Sequence, residues 1–287
     1  MFNLSIVTLC LLAANFLGLL REVFIARNLG TGNDYDCFVA AFSIISFFLV
    51  LFNQQNIQSL FMPEYHKTRL ENNNSSLQLK LKYGLYLTAI TGLFSLIIYL
   101  RAPQIISFVF SSFNVDQINL SSTLLRIMVP IIVINATLGI LHSYFHSHNQ
   151  FSYPSIGQLV HSLMILILLF WGPLDVIWLA KIFLIAMITC WVFTAYPIIK
   201  SSQFIYASNV KLSGPSSLKL GFLRDGCFIL MISCVEQLMQ LWIKSCFASF
   251  GDGTLSEVGY VLKIISFPIY LIGYSVSTTF FLVLSRK

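Results

Sequence analysis

The stretch Gly30-Thr31-Gly32, with Asp36 four positions beyond its second glycine and Ile44-Ile45-Ser46-Phe47 after it, returns as Gly251-Asp252-Gly253, with Glu257 four positions on and Ile264-Ile265-Ser266-Phe267 after it. The chain carries an internal repeat. Both copies fall where one apolar run hands over to the next. They lie about 220 residues apart, with about six apolar runs per period, so an even number of crossings separates them and the copies share one orientation. Parallel repeats of this kind build two-lobed transporters. The expected division is a six-helix lobe over 1–217 and the first two helices of a second lobe over 218–287.

Working outward, composition sets the solvent. Apolar residues make up 57% of the chain, charged residues 10%, and mean hydropathy is +0.81, far from the values of water-soluble domains. Backbone groups in lipid must be satisfied within their own segment, which takes about 20 apolar residues per helical crossing. The expected class is all-α and polytopic, with spans at 4–26, 36–58, 83–100, 122–145, 154–171, 174–196, 224–249 and 258–283. Gln104 to Phe113 is too short to cross and reads as a surface helix or a helix extension. The first run has no basic start, and Arg21 and Glu22 are followed by more apolar helix rather than a cleavage site, so it reads as a span and not a signal peptide.

Lys and Arg in connecting loops are retained on the cytoplasmic side. The second loop holds Lys67, Arg69, Lys80 and Lys82, and the sixth holds Lys200, Lys211 and Lys219, with Arg224 nearby. The third loop has only Arg101, and the fifth and seventh have none. Both termini are therefore expected inside, with Arg286 and Lys287 reinforcing the last span. The same loops account for the formal charge of +6, which anionic headgroups attract and which does not imply nucleic acid. The cysteines at 10, 37, 190, 227, 234 and 246 lack the paired spacing of a metal or disulfide frame. No Walker-type loop and no coupled Ser, His and Asp arrangement is legible, so neither a cofactor nor a catalytic residue is expected.

Ionisable residues left inside the spans are Arg21, Arg126, Lys181, Glu236, Lys244 and Lys263. Each costs about 2.5–3.5 kcal/mol at the bilayer centre on insertion scales, so each needs a reason. The five cations fall in the outer half under this topology, where the loop charge rule does not explain them. Arg126 and Lys181 lie near helix ends and can extend their stems to the headgroups. Arg21 and Lys263 each lie beside a copy of the repeat, where two lobes would meet. Glu236 reads either as a charge partner for one of these cations or as part of an ion-coupling relay. Several cations without a matching number of acids suit an anionic substrate, since Arg grips phosphate oxygens in bidentate fashion. Asn53, Gln54, Gln55, Asn56 and Gln58 either add hydrogen-bonding capacity at the inner end of span two or merely cap it.

Leu17-Gly18-Leu19-Leu20-Arg21-Glu22, Ala26-Arg27-Asn28-Leu29-Gly30, Asp36 followed by Phe42, and Phe61-Met62-Pro63 resemble the N-terminal pattern of the MurJ (MviN) lipid II flippases of the MOP superfamily. The resemblance continues through Leu124-Leu125-Arg126-Ile127 with Pro130, Asn149-Gln150-Phe151-Ser152-Tyr153-Pro154, and Phe247-Ala248-Ser249-Phe250 to Phe267-Pro268. It implies a V-shaped helical transporter of the bacterial cytoplasmic membrane, with a cavity lined by spans one, two, seven and eight. Its substrate would be the undecaprenyl diphosphate-linked cell-wall precursor, moved outward by alternating access with no covalent step. The headgroup residues it implies are Arg21, Lys263, Asp36, Arg27 and Lys244. Lys263 stands where the family usually has arginine, and two further family cations are replaced, by Asn15 and at about Leu49. The family has 14 spans, against eight here.

Other readings remain open at this level. A MATE-type exporter shares the superfamily fold but favours acids for cationic drugs. His142 and His146, one turn apart, with His148, raise an enzyme of lipid-linked sugar metabolism with a shared metal, but neither acid nor cysteine accompanies them and interfacial packing is favoured. A truncated or split-gene remnant would not transport alone. Such a chain is expected to self-associate through spans seven and eight or to need a separately encoded C-terminal half.

Overall fold

Without water to satisfy backbone groups, an apolar chain of this kind has to close its hydrogen bonds locally. In the computed structural model, which describes residues 2–53, 56–57, 73–147, 150–173, 175–200, 220–266 and 268, the described residues form helices and turns and no strand. The elements are α1 (Phe2–Leu29), α2 (Asn33–Leu51), α3 (Asn73–Val109), α4 (Val115–Met128), α5 (Pro130–Ser147), α6 (Ser152–Trp171), α7 (Val176–Lys200), α8 (Leu220–Ala248) and α9, over 254–266. Among the described residues, six helices are long and apolar enough to cross a membrane, with α4 and α5 counted as one. The 29 residues of α8 have the length of a seventh. Most of the expected eighth span, and Gln54, Gln55 and Gln58, lie outside the described residues.

Helix breaks follow local chemistry. Gly30 ends α1 at φ 64, a left-handed conformation that costs glycine little, and Gly32 starts α2 from extended backbone. The expected short element at Gln104 to Phe113 is a helix extension: α3 runs to Val109 and bends at Arg101, just before Pro103. Proline cannot donate to the carbonyl four residues back, here Tyr99. Arg126 of α4 fills that vacancy, its Nε donating to the Tyr99 carbonyl at 3.3 Å while the guanidinium lies 5.8 Å from the Tyr99 ring. This gives one in-span cation a structural reason beyond reach to the headgroups. The span expected at 122–145 starts earlier, because Asn114 and Gln117 form a reciprocal capping box at the start of α4.

Between helices, lipid offers no hydrophobic drive, so association rests on close packing and polar contacts. Packing joins α1 to α6, α6 to α7, α2 to α4, α3 to α4 and α5, and α8 to α2. A shared core takes Ile44 and Ile45 of α2, Leu124 and Leu125 of α4, Ile165 of α6 and Ile182 of α7. At Gly157 of α6, a Cβ would stand 2.8 Å from Thr194 Oγ1 of α7, so only glycine permits that approach. Asn135 of α5 donates to the Leu49 and Phe52 carbonyls at 3.1 Å, satisfying acceptors that the end of α2 leaves open.

Candidate functional site

The two repeat copies share a helix start. Asp36 N–H donates to the Gly32 carbonyl and Glu257 N–H to the Gly253 carbonyl, both at 3.0 Å, so the second glycine of each pair accepts the same first helical bond, although Gly32 is extended and Gly253 is not. Gly251 and Gly253 hold φ 125 and φ 89. The copies also touch. Asp36, only 3% exposed, accepts from Gly253 N–H at 2.6 Å through Oδ2 and from Ser256 N–H at 2.7 Å through Oδ1, and the Ser256 hydroxyl donates to Oδ1 as well. One carboxylate from the start of α2 thus caps the start of α9, where the helix dipole favours negative charge.

Around that cap, α2 and α9 are held edge to edge. A Cβ at Gly253 would stand 2.9 Å from the Thr31 carbonyl oxygen. The Tyr260 hydroxyl donates to the Gly30 carbonyl at 3.1 Å, and its ring stacks on Tyr35 at 5.0 Å. Gln117, already used in the α4 capping box, donates through Nε2 to Asp252 at 3.1 Å and to Asn33. The pseudo-equivalent acid Glu257 is exposed, so the symmetry of the repeat is used from one side only.

A second cluster lies between α1 and α9. Glu22, 5% exposed, accepts from Arg21 Nη2 at 2.6 Å and Nε at 3.1 Å through Oε1, and from Lys263 Nζ at 2.6 Å through Oε2. The Arg21 guanidinium also lies 5.1 Å from the Phe183 ring of α7, a cation–π contact that orients it. Arg21, Glu22 and Lys263 line a cavity of about 160 Å³ together with Asn15, Gly18 and Ser266. Nothing stands within 4 Å of where a Gly18 Cβ would be, so that glycine leaves space rather than filling it. Lys263 retains 37% side-chain exposure, against 6% for Glu22, so the lysine is the more accessible member of the pair.

The expected site residues are therefore brought together unequally. Arg21 and Lys263 meet, as their placement beside the repeat suggested. Lys244 of α8 donates to Ser43 Oγ at 3.0 Å, on the neighbouring face of α2. Arg27 and Glu236 are exposed, and no ion pair is recorded for either among the described residues. Asp36, expected at the headgroup, has both carboxylate oxygens engaged by the start of α9. The acid that serves Arg21 and Lys263 is Glu22, not Glu236. Glu22 is absent from the expected in-span ionisable residues, although an acid in an apolar helix was itself the signal. Asn53 and Asn56 do cap the end of α2, Asn56 Nδ2 donating to the Val50 and Leu51 carbonyls at 3.1 and 3.2 Å and to Ser233 of α8 at 3.0 Å. His148 lies outside the described residues, and no metal-holding group of three His, Cys, Asp or Glu occurs among them.

A family model described as "Lipid II flippase MurJ" matches residues 25–287. The chain belongs to the lipid II flippase MurJ family. Among curated MurJ relatives, the "Probable lipid II flippase MurJ" of Buchnera aphidicola subsp. Acyrthosiphon pisum (strain APS) is 26% identical, over 98% of this chain and 56% of the relative. The protein of the same name from Rickettsia prowazekii (strain Madrid E) is 25% identical, over 92% and 52%. A solved structure titled "Lipid II flippase MurJ, inward closed conformation" superposes with a TM-score of 0.73 at 22% identity, covering 95% of this chain and 57% of that one. An inward-facing MATE multidrug transporter of the MOP superfamily reaches 0.66 at 13% identity, over 89% and 60%. The MATE likeness shows the shared fold, whereas the family match is to MurJ. This chain spans about half the length of the curated MurJ relatives it matches. MurJ proteins are multi-pass membrane transporters, and transport of this kind is not an enzymatic reaction.

Proposed function

We propose that this chain takes part in flipping the undecaprenyl diphosphate-linked peptidoglycan precursor from the inner to the outer leaflet of the bacterial cytoplasmic membrane, and that the Arg21, Glu22 and Lys263 cluster holds its diphosphate. The observation that carries this reading is one buried carboxylate, Glu22, bridging its neighbour Arg21 to Lys263, 241 residues further along the chain, at the wall of a small cavity beside the repeat. Two cations and one acid leave the cluster with one net positive charge. Glu22 acts as the resting counter-ion. An incoming diphosphate offers several acceptor oxygens, so it takes the outward-facing hydrogen bonds of both cations while Glu22 keeps their stems in place. Lys244, on Ser43, adds a third cation. Membrane lipids and the lipid-linked anion are the partners this chemistry calls for.

Alternating access needs one lobe to move against its equivalent. On this reading 1–217 is one lobe and 218–287 opens the second, with both termini cytoplasmic. The Asp36 cap then closes the outer side and the Asn56 to Ser233 bond the inner side. Breaking one while keeping the other exposes the cavity to one face at a time. The large apolar side chains on α8, Ile232 and Trp242 among them, are 70% and 68% exposed and suit packing against further helices, either in a second copy or in a separately encoded half. Micelle-corrected mass measurement should then exceed one 32.5 kDa chain.

The binding claim is tested by measuring retention of the lipid-linked precursor by the purified protein. Neutralising Arg21 and Lys263 together should abolish it without preventing membrane insertion, and Lys263→Arg should keep it, since it restores a planar fork. Equal retention by wild type and the Arg21→Ala, Lys263→Ala variant would remove the case for an anion site.

A further inference from the structure

The α6–α7 pair carries a groove of about 730 Å³, separate from the cavity of Arg21 and Lys263 and lined by Tyr153 and Val160 of α6 and by Thr189, Val192, Tyr196 and Lys200 of α7. Its walls face outward, with Val192 53% and Tyr196 62% exposed. Close approach at Gly157 holds the two helices together behind it, where Thr194 and Cys190 occupy the contact. The groove is therefore a fixed feature of a packed helix pair.

Its dimensions and its chemistry agree on one kind of occupant. From Thr189 to Lys200 the helix rises about 16 Å, close to the depth of one leaflet in a hydrocarbon core about 30 Å thick. The wall is apolar along that depth and basic at one end. Lys200 closes α7 with its ammonium 5.9 Å from the Tyr196 ring, a contact that orients the cation without neutralising it. Tyr153, at the start of α6, meets the same end, and aromatic side chains favour the headgroup level.

We propose that this groove retains one anionic glycerophospholipid from the leaflet on the Lys200 side, with an acyl chain along Thr189 to Tyr196 and the phosphate on the Lys200 ammonium. It is a bilayer lipid and not the transported one, because the groove lies on the outer face of α6 and α7 and shares no lining residue with the cavity between α1 and α9. The site does not depend on the flippase reading.

Native mass spectrometry of the detergent-purified full chain, loaded with phosphatidylglycerol or phosphatidylcholine of identical acyl chains, tests it. Wild type should retain one phosphatidylglycerol in preference to phosphatidylcholine. Lys200→Gln should lower retained phosphatidylglycerol about fivefold, the effect expected for one basic residue at an anionic surface, and Lys200→Arg should preserve it. Val192→Trp, on an exposed position, should lower retention of both lipids by filling the groove. Equal retention of the two lipids by wild type, or no loss in Lys200→Gln, would overturn the proposal. So would displacement of the retained lipid by a polyprenyl diphosphate, which would place it in the Arg21 cavity instead.

Discussion

Asp36→Ala should open the contact between the repeat copies. The carboxylate accepts from two buried backbone N–H groups and one hydroxyl of the α9 start. The Ser256 hydroxyl can rotate to another acceptor, so only the two N–H groups lose their partners outright. Hydrogen bonds to a charged group are worth about 1.5–3 kcal/mol each, and removing an N-cap elsewhere costs about 0.5–2 kcal/mol. A total of about 3 kcal/mol is a reasonable sum, equivalent to a shift of roughly a hundredfold in the closed-to-open ratio. Asp36→Asn keeps one acceptor oxygen and should give about half that effect in free energy. Glu257→Ala, at the exposed pseudo-equivalent, should change nothing. Spin labels at Asn28 and Phe250, both exposed, in a cysteine-free background would report the separation by double electron–electron resonance. Wild type should give one short distance and Asp36→Ala a second, longer population. An unchanged distribution together with an unchanged thermal midpoint would refute the latch, and an equal response to Glu257→Ala would show that the repeat acts symmetrically after all.

Glu22→Gln removes the resting counter-ion and raises the cluster charge by one. It should tighten binding of a soluble diphosphate mimic while lowering the thermal midpoint, and weaker binding would mean that Glu22 orients the cations more than it masks them. Arg126→Gln, which loses the donor to the Tyr99 carbonyl, should cost about 0.5–3 kcal/mol of stability and leave precursor binding near wild type; a full loss of binding would place Arg126 in the site. Cysteines introduced near Asp116 and Asp252 should label from outside the cell and one near Asn73 should not, and the reverse pattern would invert the proposed topology.

Much of the helical layout was legible in residue order, for a physical reason. Backbone hydrogen bonds in a helix close within four residues, and in lipid they must. The runs that became α1, α2, α6 and α7 and the glycine turn at Gly30 depend on neighbours in sequence, as does the Asn114 capping box, which the expected span start at 122 nevertheless missed. So does the repeat, since the same glycine spacing starts α2 and α9 by the same backbone bond. Partners were a different matter. An Asp in a first helical turn reads the same whether it serves its own helix or caps another 217 residues away. Residue order puts Arg21 beside Glu22, but only packing brings Lys263 to the carboxylate's other oxygen. Arg126 looked like a cation seeking headgroups until α3 and α4 placed it over the carbonyl that Pro103 leaves open. Each of those identities depends on which helix faces which, and side-chain reach of a few ångströms decides it only after the helices have packed.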